Sequence, residues 1–223
     1  MSRTVCKQCN RPSIACICEF VFHINNPTHV LVLQHPSEVK QTKGTVNLLS
    51  RSLENCQVIV GENFTHNVEL NTLLANHRAV LLYPSEKASV LSSSLQEFNG
   101  TNLDINKVKK QLPRLLIILD GTWKKAYKMF MLSSNLQALE QVCLPENIAS
   151  RGQYSIRKVA KNNALSSLEA CCYALALLEN KLVDKAKGNH AFSQENIDCG
   201  IYQNLLNKFI QFNQFQLSFR PSS

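Results

Sequence analysis

From Thr28 onward the chain alternates short apolar runs with longer amphipathic segments. The runs HVLVLQ (29–34), CQVIV (56–60), AVLLY (79–83) and LLIILD (115–120) are apolar at nearly every position instead of every second one. Strands of that kind are buried on both faces, the condition of a parallel sheet covered by helices. Helices are expected at about 44–54, 67–77, 86–98, 121–132, 163–180 and 193–213. Strand followed by helix, repeated, predicts an α/β fold with a mostly parallel sheet flanked by helices. Residues 28–223 would form this domain, with the polar stretches near 98–106 and 185–193 as surface loops.

Open α/β sheets bind ligands at the carboxyl ends of their strands. Those positions hold QHPSE after the first run, GEN after the second, YPSEK after the third and DGTW after the fourth. Polar groups therefore gather along one edge of the expected sheet.

The opening residues, 1–27, lack the strand–helix pattern and carry four of the nine cysteines, as Cys6-x2-Cys9 and Cys16-x-Cys18. Four soft ligands in so short a span suit a tetrahedral zinc, and four protein ligands would close its coordination shell, making the metal structural. The alternative is a set of unrelated reduced thiols. The odd total argues against a disulfide framework. Cys56, Cys143, Cys171, Cys172 and Cys199 read as small buried apolar side chains.

The chain begins MSRTVCKQCN, which does not have the form of a signal peptide, and no apolar run is long enough to cross a bilayer. A cytoplasmic location without membrane association is expected. The formal net charge of +8, from 24 Lys and Arg against 16 Asp and Glu, favours a polyanionic partner. Lys124, Lys125 and Lys128 form one basic stretch and Arg157, Lys158 and Lys161 another. On a helix, Lys124 and Lys128 share a face. Lys7 and Arg11 would stand beside the cysteine hook.

By itself DGTW (120–123) fits an ordinary helix start, with Asp120 as cap, Gly121 easing the turn and Trp123 packed on the core. In its company, however, Asp120-Gly121-Thr122-Trp123 resembles the signature of the DTW-domain proteins. The same family pattern has a leading cysteine quartet, matched by Cys6, Cys9, Cys16 and Cys18. It has an H-P-x-E segment, matched by His35, Pro36 and Glu38, and a Tyr-Pro pair, matched by Tyr83 and Pro84. It continues with a Y-x-I/L-R-K-like stretch at Tyr154, Ile156, Arg157 and Lys158. Last comes an S-T-x-E-A-like helix start, here Ser166-Ser167-Leu168-Glu169-Ala170, with Ser167 in place of the usual Thr. The matches span about 6–180; nothing after about 185 matches.

The resemblance implies a SPOUT-like fold with a knot and a tRNA-uridine aminocarboxypropyltransferase. Such an enzyme transfers the 3-amino-3-carboxypropyl group of S-adenosylmethionine to N3 of a uridine in tRNA and releases methylthioadenosine. On this reading Asp120 is the base at N3 or the anchor of the donor's α-ammonium, with Glu169 or Glu38 as the second candidate. His35, Tyr83, Pro84, Thr122, Trp123, Ser166 and Ser167 would line the S-adenosylmethionine site, Trp123 against adenine or the target uracil. Lys124, Lys128, Arg157 and Lys158 would contact RNA. The competing readings are an S-adenosylmethionine-dependent RNA methyltransferase, a non-catalytic zinc-containing RNA-binding module, and a ribosomal RNA substrate. Nothing in the pattern assigns an oligomeric state.

Overall fold

A computed structural model of the chain describes residues 4–91, 112–150, 152, 165–179, 183–184 and 197–219. Its centre is a six-stranded, all-parallel sheet with the order β2-β1-β5-β3-β6-β4. The strands are β1 (His29–Gln34), β2 (Cys56–Val60), β3 (Arg78–Leu82), β4 (Ser89–Val90), β5 (Arg114–Asp120) and β6 (Glu140–Cys143). The helices are α1 (Val46–Ser52), α2 (Val68–Asn76), α3 (Trp123–Leu132), α4 (Ser134–Gln137), α5 (Glu146–Ala149), α6 (Ser167–Leu178) and α7 (Gln203–Leu217). Val183–Asp184 and Ile197–Asp198 pair as a separate short antiparallel ladder.

The sheet is the middle of three layers, and alternation along its central strands shows it. Val30 and Val32 of β1, with Leu116 and Ile118 of β5, enter one core with α6, α7 and the amino-terminal segment. Leu31 and Leu33, with Leu115, Ile117 and Leu119, enter the other with Phe64, Leu70, Ala126 and Met129. Continuous aliphatic runs are therefore required in β1 and β5.

Several elements differ from the sequence expectation. β2 is an edge strand whose Val58 and Val60 are exposed among the described residues, unlike the aliphatic positions of β1 and β5. The segment expected to be helical over 86–98 instead contributes Ser89 and Val90 to the sheet, paired with Val142 and Cys143; its remainder from 92 lies outside the described residues. β6 had no sequence signal, because EQVC is short and half polar. The final helix starts only at Gln203, after a short strand and a 3-10 turn at Gly200–Tyr202, and runs on to Leu217. The loops expected near 98–106 and 185–193 lie outside the described residues. So do Tyr154, Ile156, Arg157, Lys158, Lys161 and the first residues of the 163–180 helix.

Residues 1–27 were expected as a segment apart from the domain. Cys9, Ile17, Phe20 and Ile24 are buried in the same core as α6 and α7. The Phe20 ring meets Phe212 edge-on at 5.8 Å and Phe215 at 5.3 Å, so the carboxyl-terminal helix clasps the cysteine segment. Cys171, Cys172 and Cys199 are fully buried, and Cys56 and Cys143 half-buried. Among the described residues, no helix is long and apolar enough to cross a membrane.

Candidate active site at the carboxyl edge of the sheet

Asp120 ends β5 and stands in register with Gln34, the last residue of β1. Asp120 is only 7% exposed, and both of its carboxylate oxygens are engaged. Gln34 Nε2 donates to Oδ2 at 2.9 Å and Ser167 Oγ donates to Oδ1 at 2.6 Å. A carboxylate with two dedicated donors can be buried without the cost of an unpaired charge. Ser167 is the first residue of α6, so Asp120 also faces the positive end of that helix.

The helix that follows is capped by another residue. Thr122 Oγ1 accepts from the Lys125 N–H at 3.4 Å, which frees Asp120 from the capping role that DGTW suggested. Gly121 lies where space is tight: a Cβ there would meet Lys125 Cβ at 3.1 Å and His35 Cβ at 3.6 Å. Trp123 is 59% exposed and is not a core residue.

A cleft of about 470 Å³ opens beside this corner. Its walls come from the ends of β3 (Tyr83, Pro84), β5 (Leu119, Gly121) and β6 (Cys143, Leu144), and from Trp123, Ser166 and Ser167. Five expected ligand-site residues, Tyr83, Pro84, Trp123, Ser166 and Ser167, therefore share one cavity. Tyr83 is held by stacking on Phe130 at 4.6 Å, and burial, with Tyr127 nearby, pushes its hydroxyl pKa upward. Asp120 does not line the cleft and reaches it through Ser167.

Glu169 forms a capping box at the start of α6. Its Oε2 accepts from the Ser166 N–H at 2.7 Å, and Ser166 Oγ accepts from the Glu169 N–H at 3.2 Å. This carboxylate is buried and helps set the position of the helix that carries Ser167.

His35 lies on another side of the corner. The Ser37 N–H can only donate, so Nδ1 accepts it at 3.2 Å and the ring proton sits on Nε2, facing Glu62 Oε1 at 2.8 Å. Glu62 Oε2 pairs with Lys128 at 2.6 Å, and that lysine is the main cause holding the Glu62 pKa below its usual range. Lys125 Nζ pairs with the buried Glu38 at 2.8 Å. Lys128, expected to face RNA, is thus tied to an acidic residue beyond the end of β2, whereas Lys124 is exposed. Neither His35 nor Thr122 lines the cleft.

The cysteine hook is a tight turn closed by Cys6 N–H to Arg11 O at 2.8 Å and Asn10 N–H to Cys6 O at 2.9 Å, with Asn10 at φ 55°. The four sulfurs lie within 4.8 Å of one another, with Cys6–Cys18 and Cys9–Cys16 both 3.8 Å apart. A tetrahedron with metal–sulfur bonds of about 2.3 Å has edges of about 3.8 Å, so the quartet is spaced to bind a metal ion. Backbone N–H groups of Cys9 and Gln8 bring the Cys6 pKa down to about 6, while burial and the neighbouring thiols push Cys18 up to about 12. Four thiolates together need a cation between them.

The DTW-domain family profile matches residues 3–217. This chain belongs to the DTW-domain family. It is 35% identical over 185 residues to a protein of Macaca fascicularis named tRNA-uridine aminocarboxypropyltransferase 2, covering 79% of this chain and 57% of the relative. A Mus musculus protein of the same name is 34% identical over 183 residues, with the same 79% and 57% coverage. A Drosophila melanogaster protein, also so named, is 30% identical over 186 residues, covering 80% of this chain and 68% of that one. The chain thus spans 57% of the length of the two mammalian relatives. No solved structure matches it.

In this DTW-domain chain the three namesake residues do three different things. Asp120 is a buried acceptor behind the cleft, Thr122 caps α3, and Trp123 offers an exposed ring to the cleft mouth. Sequence reasoning missed Gln34, although it stood in the quoted QHPSE segment. Its signal was positional: a polar residue closing an apolar strand, in register with Asp120. Cys143 and Leu144 were missed together with β6.

Proposed function

We propose that this chain transfers the 3-amino-3-carboxypropyl group of S-adenosylmethionine to N3 of a uridine in tRNA, with release of methylthioadenosine. The observation that carries the reading is the cleft at the carboxyl edge of the sheet, which places Tyr83, Trp123, Ser166 and Ser167 around one cavity in a chain of this family. Its volume of about 470 Å³ fits a nucleoside-sized ligand.

The donor supplies an electrophilic γ-carbon next to a sulfonium leaving group; the protein's part is to orient the arm and hold its charges. The Ser167 hydroxyl donates its hydrogen bond to Asp120, which leaves the lone pairs of Oγ available to the cleft. That oriented acceptor, with the Asp120 charge behind it, would hold the α-ammonium of the amino-acid arm. Passage of the N3 proton through Ser167 Oγ to Asp120 Oδ1 is a second role open to the same pair at 2.6 Å. Trp123 offers a flat, exposed face on which a base can stack. N3 lies on the pairing edge, so the uridine must be unpaired or flipped to enter.

The Cys6, Cys9, Cys16 and Cys18 site would hold a structural zinc, and the SPOUT-like knot belongs to the same proposal. The free cysteines suit a reducing cytoplasm. Donor labelling tests the reaction. Label in the carboxyl carbon of S-adenosylmethionine should pass to tRNA, whereas label in its methyl group should stay with released methylthioadenosine. Methyl label on tRNA would instead establish a methyltransferase.

A further inference from the structure

We propose that the exposed face of α3 binds unpaired RNA beside the modified uridine, with a neighbouring base stacked on Tyr127. The inference rests on the reading of this chain as a tRNA-modifying enzyme and names the surface that would hold the tRNA.

Along α3 every fourth residue from Trp123 is large and apolar, Tyr127 and then Met131, and residues at that spacing are neighbours on one face. A surface helix normally turns such a face to the core. In α3 the buried positions are Ala126 and Met129 instead, while Trp123, Tyr127 and Met131 are 59%, 57% and 51% exposed. Single exposed apolar residues need no explanation, but a contiguous row of large ones marks a binding surface.

The row continues from the cleft. Trp123 and Tyr83 both line the cleft, and the Tyr83 ring stacks on Phe130 of the same helix at 4.6 Å. Tyr127 lies close to Tyr83, whose hydroxyl pKa is raised by burial and then by this neighbour, yet Tyr127 is not itself a wall of the cleft. It stands about 6 Å further along the helix axis than Trp123, at about 1.5 Å per residue. That step is longer than the roughly 3.4 Å rise per nucleotide of a stacked strand. Successive bases laid on the row are therefore drawn apart, the state in which N3 of a uridine can be reached.

Charge favours RNA over a second copy of the chain. Beside the apolar row runs a basic one, Lys124 and Lys128, and residues 121–132 include three lysines and no acid. Lys125 and Lys128 pair with Glu38 and Glu62 of other segments, whereas the exposed Lys124 is in no ion pair among the described residues. A two-fold contact centred on this face would set the lysine row of one copy against that of the other. A phosphate backbone supplies the opposite charge. Exposed aromatic rings beside a free cation are the make-up of surfaces that bind single strands.

The test is equilibrium binding of unmodified bulk tRNA to the full chain over a salt series, for wild type, Tyr127→Ala, Tyr127→Phe and Lys124→Ala. Tyr127→Ala should weaken binding roughly ten-fold, the scale of one lost stacked base. Stacking releases no counterions, so the slope of log affinity against log salt should stay at the wild-type value in that variant. Lys124→Ala should instead reduce the slope by roughly 0.7–0.9, one phosphate contact. Tyr127→Phe keeps the ring and should bind within about two-fold of wild type. Affinity for S-adenosylmethionine should be unchanged in all three, because neither residue lines the cleft. If wild type modifies tRNA while Tyr127→Ala binds it equally well, the proposal for this face is overturned alone. A wild-type dimer that Tyr127→Ala turns into a monomer in sedimentation equilibrium would also overturn it, making the row a contact between copies. If wild type neither binds tRNA nor yields product, the reading beneath it falls as well.

Discussion

Ser167 Oγ lies 2.6 Å from Asp120 Oδ1, tying the first residue of α6 to the last residue of β5. These positions are 47 residues apart in sequence, and their bond sets the floor of the cleft. Asp120→Asn removes the charge and should lower product formation by roughly 100-fold or more, the scale found when one preorganised charge-stabilising group is lost. Ser167→Ala should cost less, and the two losses should combine far from additively. Ser167→Thr keeps the hydroxyl and should stay within a few-fold of wild type. Single-turnover assays of wild type, the three single variants and the Asp120→Asn/Ser167→Ala double variant check this, and full turnover in Asp120→Asn would remove both proposed roles of the carboxylate.

Glu169 separates a positioning role from a chemical one. If the capping box is its task, Glu169→Gln keeps an acceptor for the Ser166 N–H and should change turnover only a few-fold. Glu169→Ala should destabilise the fold by about 1 kcal/mol, the usual worth of a cap. Thermal melts read together with turnover decide the matter: a stable Glu169→Gln without product would make the residue catalytic.

The exposed indole gives a built-in reporter, since Trp123 is the only tryptophan of the chain. Its fluorescence should change when S-adenosylmethionine or tRNA binds. Trp123→Ala should leave the melting temperature unaltered and weaken ligand binding by about 1–3 kcal/mol, the worth of one stacked base. Trp123→Phe should recover part of that loss.

Metal at the cysteine quartet should be detected as one zinc per chain by elemental analysis. Chelation should lower the melting temperature, because the quartet adjoins Phe20, which packs on Phe212 and Phe215 of α7. A metal-free chain with an unchanged melt under chelator would refute the structural role.

At the amino-terminal end of the sheet, His29 Nδ1 lies 3.3 Å from His77 Nε2. Burial, and then the neighbouring His77, lowers the His29 pKa below its ordinary 6.5. The unfolded chain therefore binds this proton more readily than the folded one. The stability linked to His29 is fully present above about pH 6.5 and is lost as pH falls below that value through the lowered one. Melting temperatures between pH 7.5 and 5 should fall more steeply for wild type than for His29→Gln.

Much of this architecture was legible because β1 and β5 are buried on both faces and announce it with unbroken aliphatic runs. β6 and β4 were not, since their strand state comes from pairing with distant partners; EQVC and SV carry no period of their own. The carboxyl-edge rule located the cleft, and the Asp120 corner with it. It could not supply Gln34, whose bond to Asp120 bridges 86 residues. Nor could it show that Lys125 and Lys128 are drawn to Glu38 and Glu62, because these ion pairs join the helix after β5 to the segments after β1 and β2, which only the sheet order β2-β1-β5 brings together.

The most direct test of the central claim is nucleoside mass spectrometry after incubation of the purified chain with S-adenosylmethionine and unmodified bulk tRNA. The expected products are 3-(3-amino-3-carboxypropyl)uridine and an equal amount of methylthioadenosine. A methylated nucleoside, or tRNA recovered unmodified although the protein binds both substrates, would contradict the claim.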